Sequence, residues 1–258
     1  MNIRNFLSLA LTLLTIAAFD AQANVLLEDD FSNGLSQWQI FGSPSPSIQT
    51  IIGPDGNPTQ VFATNDDGNW GGFALSNETF NYVNTTFQVS VDVKHANFGG
   101  GYQKKSTVFL NKTNSINNSV PSGGYSWFLT AEIFGNSSAY GPSLAFGLIT
   151  MDGSVESGRV ALADGDGWHN LSFLIDTDGF VSFLVDNVAV YNSVGQITDD
   201  YDGTAALLLG HRRAFHDNVL VTSSVPAPAT LLLFLAGIIG MFWNTQAKGS
   251  NRGYSVAT

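Results

Sequence analysis

Between residues 24 and 224 the chain never sustains a stripe of apolar residues at helical spacing. It runs instead in short alternating segments broken by Gly, Asn, Asp and Pro. Alternation sends successive side chains to opposite faces of an extended strand, so one face can enter a core while the other meets water. Phe87-Gln88-Val89-Ser90-Val91-Asp92-Val93-Lys94 alternates throughout. Leu144, Phe146 and Leu148 alternate with Ala145, Gly147 and Ile149, which reads as a strand buried on both faces. Tyr125 to Phe134 reads as a longer aromatic strand. Residues 53–72 and 111–124, rich in Asn, Gly, Ser and Pro, read as long loops. Many short strands separated by turn residues predict an all-β sandwich or barrel.

The sharpest unit is Trp168 to Tyr191. Leu171 to Ile175 is a strand, Asp176-Thr177-Asp178-Gly179 a turn, Val181 to Val185 a second strand, Asp186-Asn187 a two-residue turn, and Val188 to Tyr191 a third strand. Asn and Asp tolerate the positive φ that a tight hairpin demands. This Trp-His, strand, Asp-x-Asp-Gly, Phe-Leu-Val-Asp-Asn-Val-Ala-Val meander resembles the concanavalin A-like (laminin-G-like) lectin and glucanase sandwich. Glu28-Asp29-Asp30-Phe31-Ser32-Asn33-Gly34 with Trp38 resembles the first strand of such folds, and His216-Asp217-Asn218-Val219-Leu220-Val221 the last. The resemblance implies a jelly-roll β-sandwich over residues 24–224 whose two ends meet.

The two extremities of the chain read differently. Arg4, the apolar run Phe6 to Phe19 and Ala21-Gln22-Ala23 have the order of a signal peptide, residues 1–23, cleaved after Ala23. At the other end Val225-Pro226-Ala227-Pro228 precedes the apolar run Leu231 to Trp243, and Lys248 and Arg252 follow. Prolines bar a helix from starting before Ala229. The fifteen residues Ala229 to Trp243 reach about 22 Å as a helix, shorter than a bilayer core of roughly 30 Å. A buried core helix is one reading. The Pro-x-Pro ahead and the polar tail behind favour a transmembrane helix with Trp243 at the interface and the basic residues inside. Residues 225–258 resemble the sorting signal of bacterial PEP-CTERM proteins. The resemblance implies export, transient inner-membrane anchoring and processing near Pro226 and Pro228 by an exosortase-like enzyme, with the product at the cell surface or in the extracellular matrix.

Charge and chemistry narrow the role. The chain has no cysteine, and residues 24–224 hold seven basic and twenty acidic residues, a net charge of −13. Thiol chemistry is excluded, and phosphate backbones are poor partners for such a field. A glucanase of this fold needs paired carboxylates on one strand. The nearest match is Glu132 alone in Ala131-Glu132-Ile133-Phe134, which reads as a strand-end charge. His95, His169, His211 and His216 are scattered, and His211 and His216, five residues apart, read as turn or surface residues. Clustered aspartates on Gly-rich loops supply the oxygens that calcium takes, though Asp also simply makes turns. Asp30 with Asp217 is the preferred structural calcium site. Stacking on sugar faces needs exposed rings, for which Trp70, Tyr102, Tyr125 and Tyr140 are candidates beside glycines or turn residues, whereas Trp38, Trp127 and Trp168 read as core. The expectation is a non-catalytic, exopolysaccharide-binding surface module. A purely structural biofilm component, or a glycan hydrolase or lyase, stands as the alternative.

Overall fold

The structure, a computed structural model, describes residues 23–42, 45–64, 72–95, 104–112, 127–136, 138–198, 204–210 and 213–224. The signal-peptide segment, the Val225–Pro228 motif and the apolar run after it lie outside them. Among the described residues no helix is long and apolar enough to cross a membrane.

Fifteen strands follow in order: β1 (Asn24–Asp29), β2 (Trp38–Phe41), β3 (Ser47–Ile52), β4 (Pro58–Ala63), β5 (Phe73–Ser76), β6 (Thr86–His95), β7 (Lys104–Lys112), β8 (Trp127–Phe134), β9 (Ser143–Ile149), β10 (Val155–Ala161), β11 (His169–Ile175), β12 (Val181–Val185), β13 (Val188–Asn192), β14 (Thr204–Leu209) and β15 (Ala214–Ser224). They form two antiparallel sheets. The first runs β13-β12-β11-β6-β15-β4-β3 with β1 also beside β15, and the second runs β10-β9-β8-β7-β14-β5-β2.

Strand β6 shows why the sheets stack. Phe87, Val89, Val91, Val93 and His95 are buried on one face while Gln88, Ser90, Asp92 and Lys94 lie half-buried on the other. The buried row joins Phe173 of β11 and Phe183 of β12 against Leu129, Ile133, Leu144, Phe146 and Leu148 of the second sheet. Each such side chain contributes about 1.5–3 kcal/mol on burial. Asp186 and Asn187 close the β12–β13 hairpin with φ of 53° and 64°, the conformation the sequence predicts for them. The Asp186 carboxylate accepts the Asn170 N–H at 2.9 Å and pairs with His169 Nδ1 at 2.9 Å, which ties the hairpin to the start of β11.

The first and last strands do pair, with Asn24 opposite Ser223 and Asp29 opposite Val219. The acidic run at the end of β1 turns on one residue. Asp29 is buried, and its carboxylate accepts the Phe31 N–H at 2.8 Å and the Trp38 Nε1–H at 2.7 Å. Phe31, held at φ 59°, is thereby driven into the core, with its ring 6.0 Å from those of Trp38 and Phe62.

Three expectations need correction. Residues 58–63, read as part of a loop, form β4, because Thr59-Gln60-Val61-Phe62-Ala63 has the β-branched and aromatic content of a strand and Pro58 sits only at its start. His216 is no surface residue: it is fully buried beside the Phe62 ring, and His95 is buried too. Trp168 is half-buried outside the inter-sheet core, packed with Val61, Ala63 and Phe215 on the outward face of the first sheet, its Nε1–H donated to the Ile52 carbonyl at 2.9 Å. His211 and the side chain of Trp127 fall outside the described part.

Candidate functional site

The first polar concentration arises from a break in β15. This strand pairs with β4 at Phe215 and His216 and with β1 from Val219 to Ser223, so β4 and β1 lie end to end along it. At their junction the ladder to β6 slips between Asp217 and Leu220, and Asn218 takes φ 48°. A bulge of this kind re-aims side chains. Asn218 Nδ2 donates to Asp92 Oδ2 at 2.8 Å, and Asn170 Nδ2 donates to Asp92 Oδ1 at 2.8 Å. A cleft of about 600 Å³ opens here, lined by Asp30, Asn33, Gln37, Ser90, Asn170 and Asn218 among others.

Asp30 and Asp217 are therefore neighbours, as the pairing of the chain's first and last strands requires. Asp217 is 2 % exposed. Burial pushes its carboxyl up to about 6, helped by the charges of Asp92 and Asp30 and opposed by hydrogen bonds from Asn218 and Thr59. Asp30 is instead held below the usual range by hydrogen bonds from Ser32. Asp92 is the member of this group that the sequence reading missed, since in the alternating run of β6 it is only another outward polar residue. Among the described residues no three His, Cys, Asp or Glu side chains converge as a metal cage.

The second concentration lies on the outward face of the second sheet, at its β10 edge. Registers align Arg159 of β10 with Ala145 of β9, and Ala145 with Glu132 of β8. Glu132 is buried, and not at the end of its strand as the sequence suggests. It is the one acidic residue on that face among the described residues.

Next to it stands a stack of three side chains. The Arg159 guanidinium carbon lies 3.8 Å from the Tyr140 ring centroid and 4.2 Å from that of Phe134. The two rings meet edge to face, centroids 5.6 Å apart at 88°. Arg159 Nη1 also donates to Ser143 Oγ at 3.4 Å. Tyr140 is 53 % exposed, on a turn closed by Gly141 N–H to the Ser138 carbonyl at 2.9 Å.

That turn is fixed from behind by the neighbouring loop. Asn136 Nδ2 donates to Asp164 Oδ1 at 2.6 Å, the Gly165 N–H donates to Asn136 Oδ1 at 2.7 Å, and the Asn136 N–H donates to Asp166 Oδ1 at 3.0 Å. Hydrogen bonds from the Asp166 N–H and the Asn136 amide hold Asp164 down to about 2. Asp164 and Asp166 thus serve here as loop clamps.

Of the four rings singled out in sequence, Tyr140 stands at this site, while Trp70, Tyr102 and Tyr125 lie outside the described residues. Phe134 and Arg159 went unnoticed. The available signal was Arg159 itself, an arginine inside a strand of a region with only seven basic residues.

No family model matches the chain, and no curated protein matches it. Solved structures do. The carbohydrate recognition domain of Emp47p aligns with a TM-score of 0.56 at 12 % identity, over 80 % of this chain and 96 % of that one. The globular domain of T. cruzi calreticulin gives 0.55 at 12 %, over 81 % and 92 %. A Bacteroides ovatus mixed-linkage glucan GH16 protein in complex with product gives 0.53 at 14 %, over 76 % and 99 %. At such identities the likeness is one of fold: the described part of the chain is an all-β sandwich with the jelly-roll fold of these structures.

Proposed function

We propose that this chain is a non-catalytic glycan-binding module that is exported and held at a bacterial surface. The observation that carries the reading is the Tyr140–Phe134–Arg159 stack, an exposed ring with a cation on a rigid turn at the edge of a sheet. Exposed rings on fixed backbone bind the apolar faces of sugars with little loss of side-chain freedom. The lectin-like folds among its structural neighbours support the same reading.

The non-catalytic part rests on Glu132. Glycoside hydrolysis in its usual form uses two carboxyl groups roughly 5–10 Å apart across the scissile bond. Glu132 has no acidic partner on its face among the described residues, and Ala145 stands between it and Arg159.

Export and retention rest on the terminal segments alone. The Ala21-Gln22-Ala23 exit, the Val225-Pro226-Ala227-Pro228 motif and the apolar run with its basic tail favour an exosortase-like enzyme as processing partner and an exopolysaccharide as ligand. A structural calcium ion near Asp30 and Asp217 belongs to the same proposal.

The test is a glycan array followed by calorimetry on the hits, with Tyr140→Ala beside the wild type. Saturable binding that falls by roughly tenfold or more in the variant, about 1.4 kcal/mol, supports the reading. Absence of any saturable glycan leaves a structural component as the better account. Turnover of a bound oligosaccharide, lost in Glu132→Gln, would make the protein an enzyme.

A further inference from the structure

The geometry points to the Arg159 corner as a subsite for a sugar that carries a carboxylate, a uronic acid unit, in preference to a neutral sugar. This inference rests on the glycan-binding reading above and names the class of glycan.

Arg159 is the residue that demands it. Its guanidinium carbon lies 3.8 and 4.2 Å from the centroids of two rings that meet edge to face, so the fork is held in the corner between them. Among the described residues its one hydrogen bond is the long one to Ser143 Oγ at 3.4 Å, and no described carboxylate pairs with it. In a region of net charge −13 an arginine that no described acid pairs with is a poor accident of composition. The acids of the adjoining loop are committed elsewhere: Asp164 and Asp166 accept from Asn136 and from backbone N–H groups. Among the described residues the remaining guanidinium donors are therefore unclaimed.

A carboxylate answers that arrangement best. It is planar, takes two parallel N–H···O bonds from one guanidinium, and gains about twice the strength of a neutral hydrogen bond. The exposed Tyr140 ring supplies an apolar surface beside it for the pyranose. The outward positions of β9 next to Arg159, namely Ser143, Ala145 and Gly147, carry small side chains, of which Ala145 is half-buried and the other two are buried. A neutral sugar would use the ring and leave the cation unmatched.

The deciding experiment is calorimetry of the full-length chain at pH 7 with three probes: an oligoglucuronate, the same oligomer after carboxyl reduction, and a sulfated neutral glucan. The oligoglucuronate is expected to bind about tenfold or more tightly than its reduced form. Its affinity should weaken as salt rises from roughly 50 to 300 mM. Arg159→Gln should bring the acidic probe down to the level of the reduced one, with Arg159→Lys in between because the charge stays but the fork goes.

Equal binding of the acidic and reduced oligomers, unchanged in Arg159→Gln, would overturn the uronate assignment and leave glycan binding standing. Sulfated glucan bound as well as the uronate would also overturn it, since any anion would then serve. Binding of no probe, together with an empty array, would remove both readings. Should Arg159→Gln fail to fold, the comparison of acidic with reduced oligomer on the wild type decides alone.

Discussion

Replacing Asp217 by Asn should make the protein more stable at neutral pH, although it removes a buried, hydrogen-bonded side chain. The carboxyl is pushed up to about 6 in the fold, against an ordinary value of 3.8. A carboxyl raised by folding binds its proton more tightly in the native state than in the unfolded chain. Its contribution is thus fully favourable below pH 3.8 and is lost as pH rises through 6. The difference of about two pKa units corresponds to on the order of 3 kcal/mol, the burden of an ionised carboxylate at pH 7.5. Asparagine keeps the acceptor for the Asn218 N–H, now at 2.8 Å, and carries no charge toward Asp92 or Asp30. Urea unfolding with calcium chelated should show Asp217→Asn more stable than wild type at pH 7.5 and equal or weaker at pH 4, the gap opening between those values. In thermal melts the neutral-pH gain amounts to roughly 5–10 °C for a domain of this size. A pH-independent difference between the two proteins would refute the reasoning. Added calcium gives a second result: if the ion sits at this corner, it raises the wild-type midpoint and leaves the variant unmoved, and if both stay put the calcium proposal is wrong.

His216→Leu should tilt the profile the other way. Burial holds this imidazole down to about 3, so it stays neutral in the fold, and stability falls as pH drops below 6.5 by about 1.4 kcal/mol per unit; the variant should flatten that limb in urea titrations at pH 4 to 7. Asp29→Ala removes the acceptor shared by the Phe31 N–H and the Trp38 indole, and should lower stability by roughly 2–4 kcal/mol, read by urea unfolding and by a change in Trp38 fluorescence. Glu156 accepts from the Tyr191 hydroxyl at 2.5 Å and from the Val194 and Gly195 N–H groups, bonds that hold it below its ordinary range against the opposing effect of burial. Glu156→Gln should cost about 1–2 kcal/mol and raise amide exchange at Val194 and Gly195, because it weakens the link between the β10 and β13 edges.

The fold was legible where a single face of a strand tells its burial. The strict alternation of Phe87 to Lys94 specifies β6 almost residue by residue, and Asp186-Asn187 specifies its turn, because both are local effects of backbone geometry. That the two ends of the domain meet was legible through the resemblance of its opening and closing motifs to the first and last strands of a known sandwich. Strand β4 was hidden because turn residues before and after it outweigh its three strand formers, Thr59, Val61 and Phe62. His216 was hidden because the same alternating code writes an inward polar residue and an outward one alike, and only the register with Val93 of β6 puts it inside. Of the Arg159 corner only Tyr140 could be read. Its three members come from the β8 end, the turn after it and the middle of β10, and cross-strand registers alone bring them together.

The place of β15 has a mechanical consequence. Its outer neighbours are β4 and β1 and its inner neighbour is β6, so Ser224 ends a central strand and not an edge. Tension entering at Ser224 while a ligand holds the opposite sheet runs along β15 and loads both of its ladders in shear, many bonds at once. The same tension drawn between Ser224 and Asn24, which sits beside Ser223, would instead peel β1 away one bond after another. A domain tethered by its carboxyl end alone therefore resists far more force than one stretched between both ends.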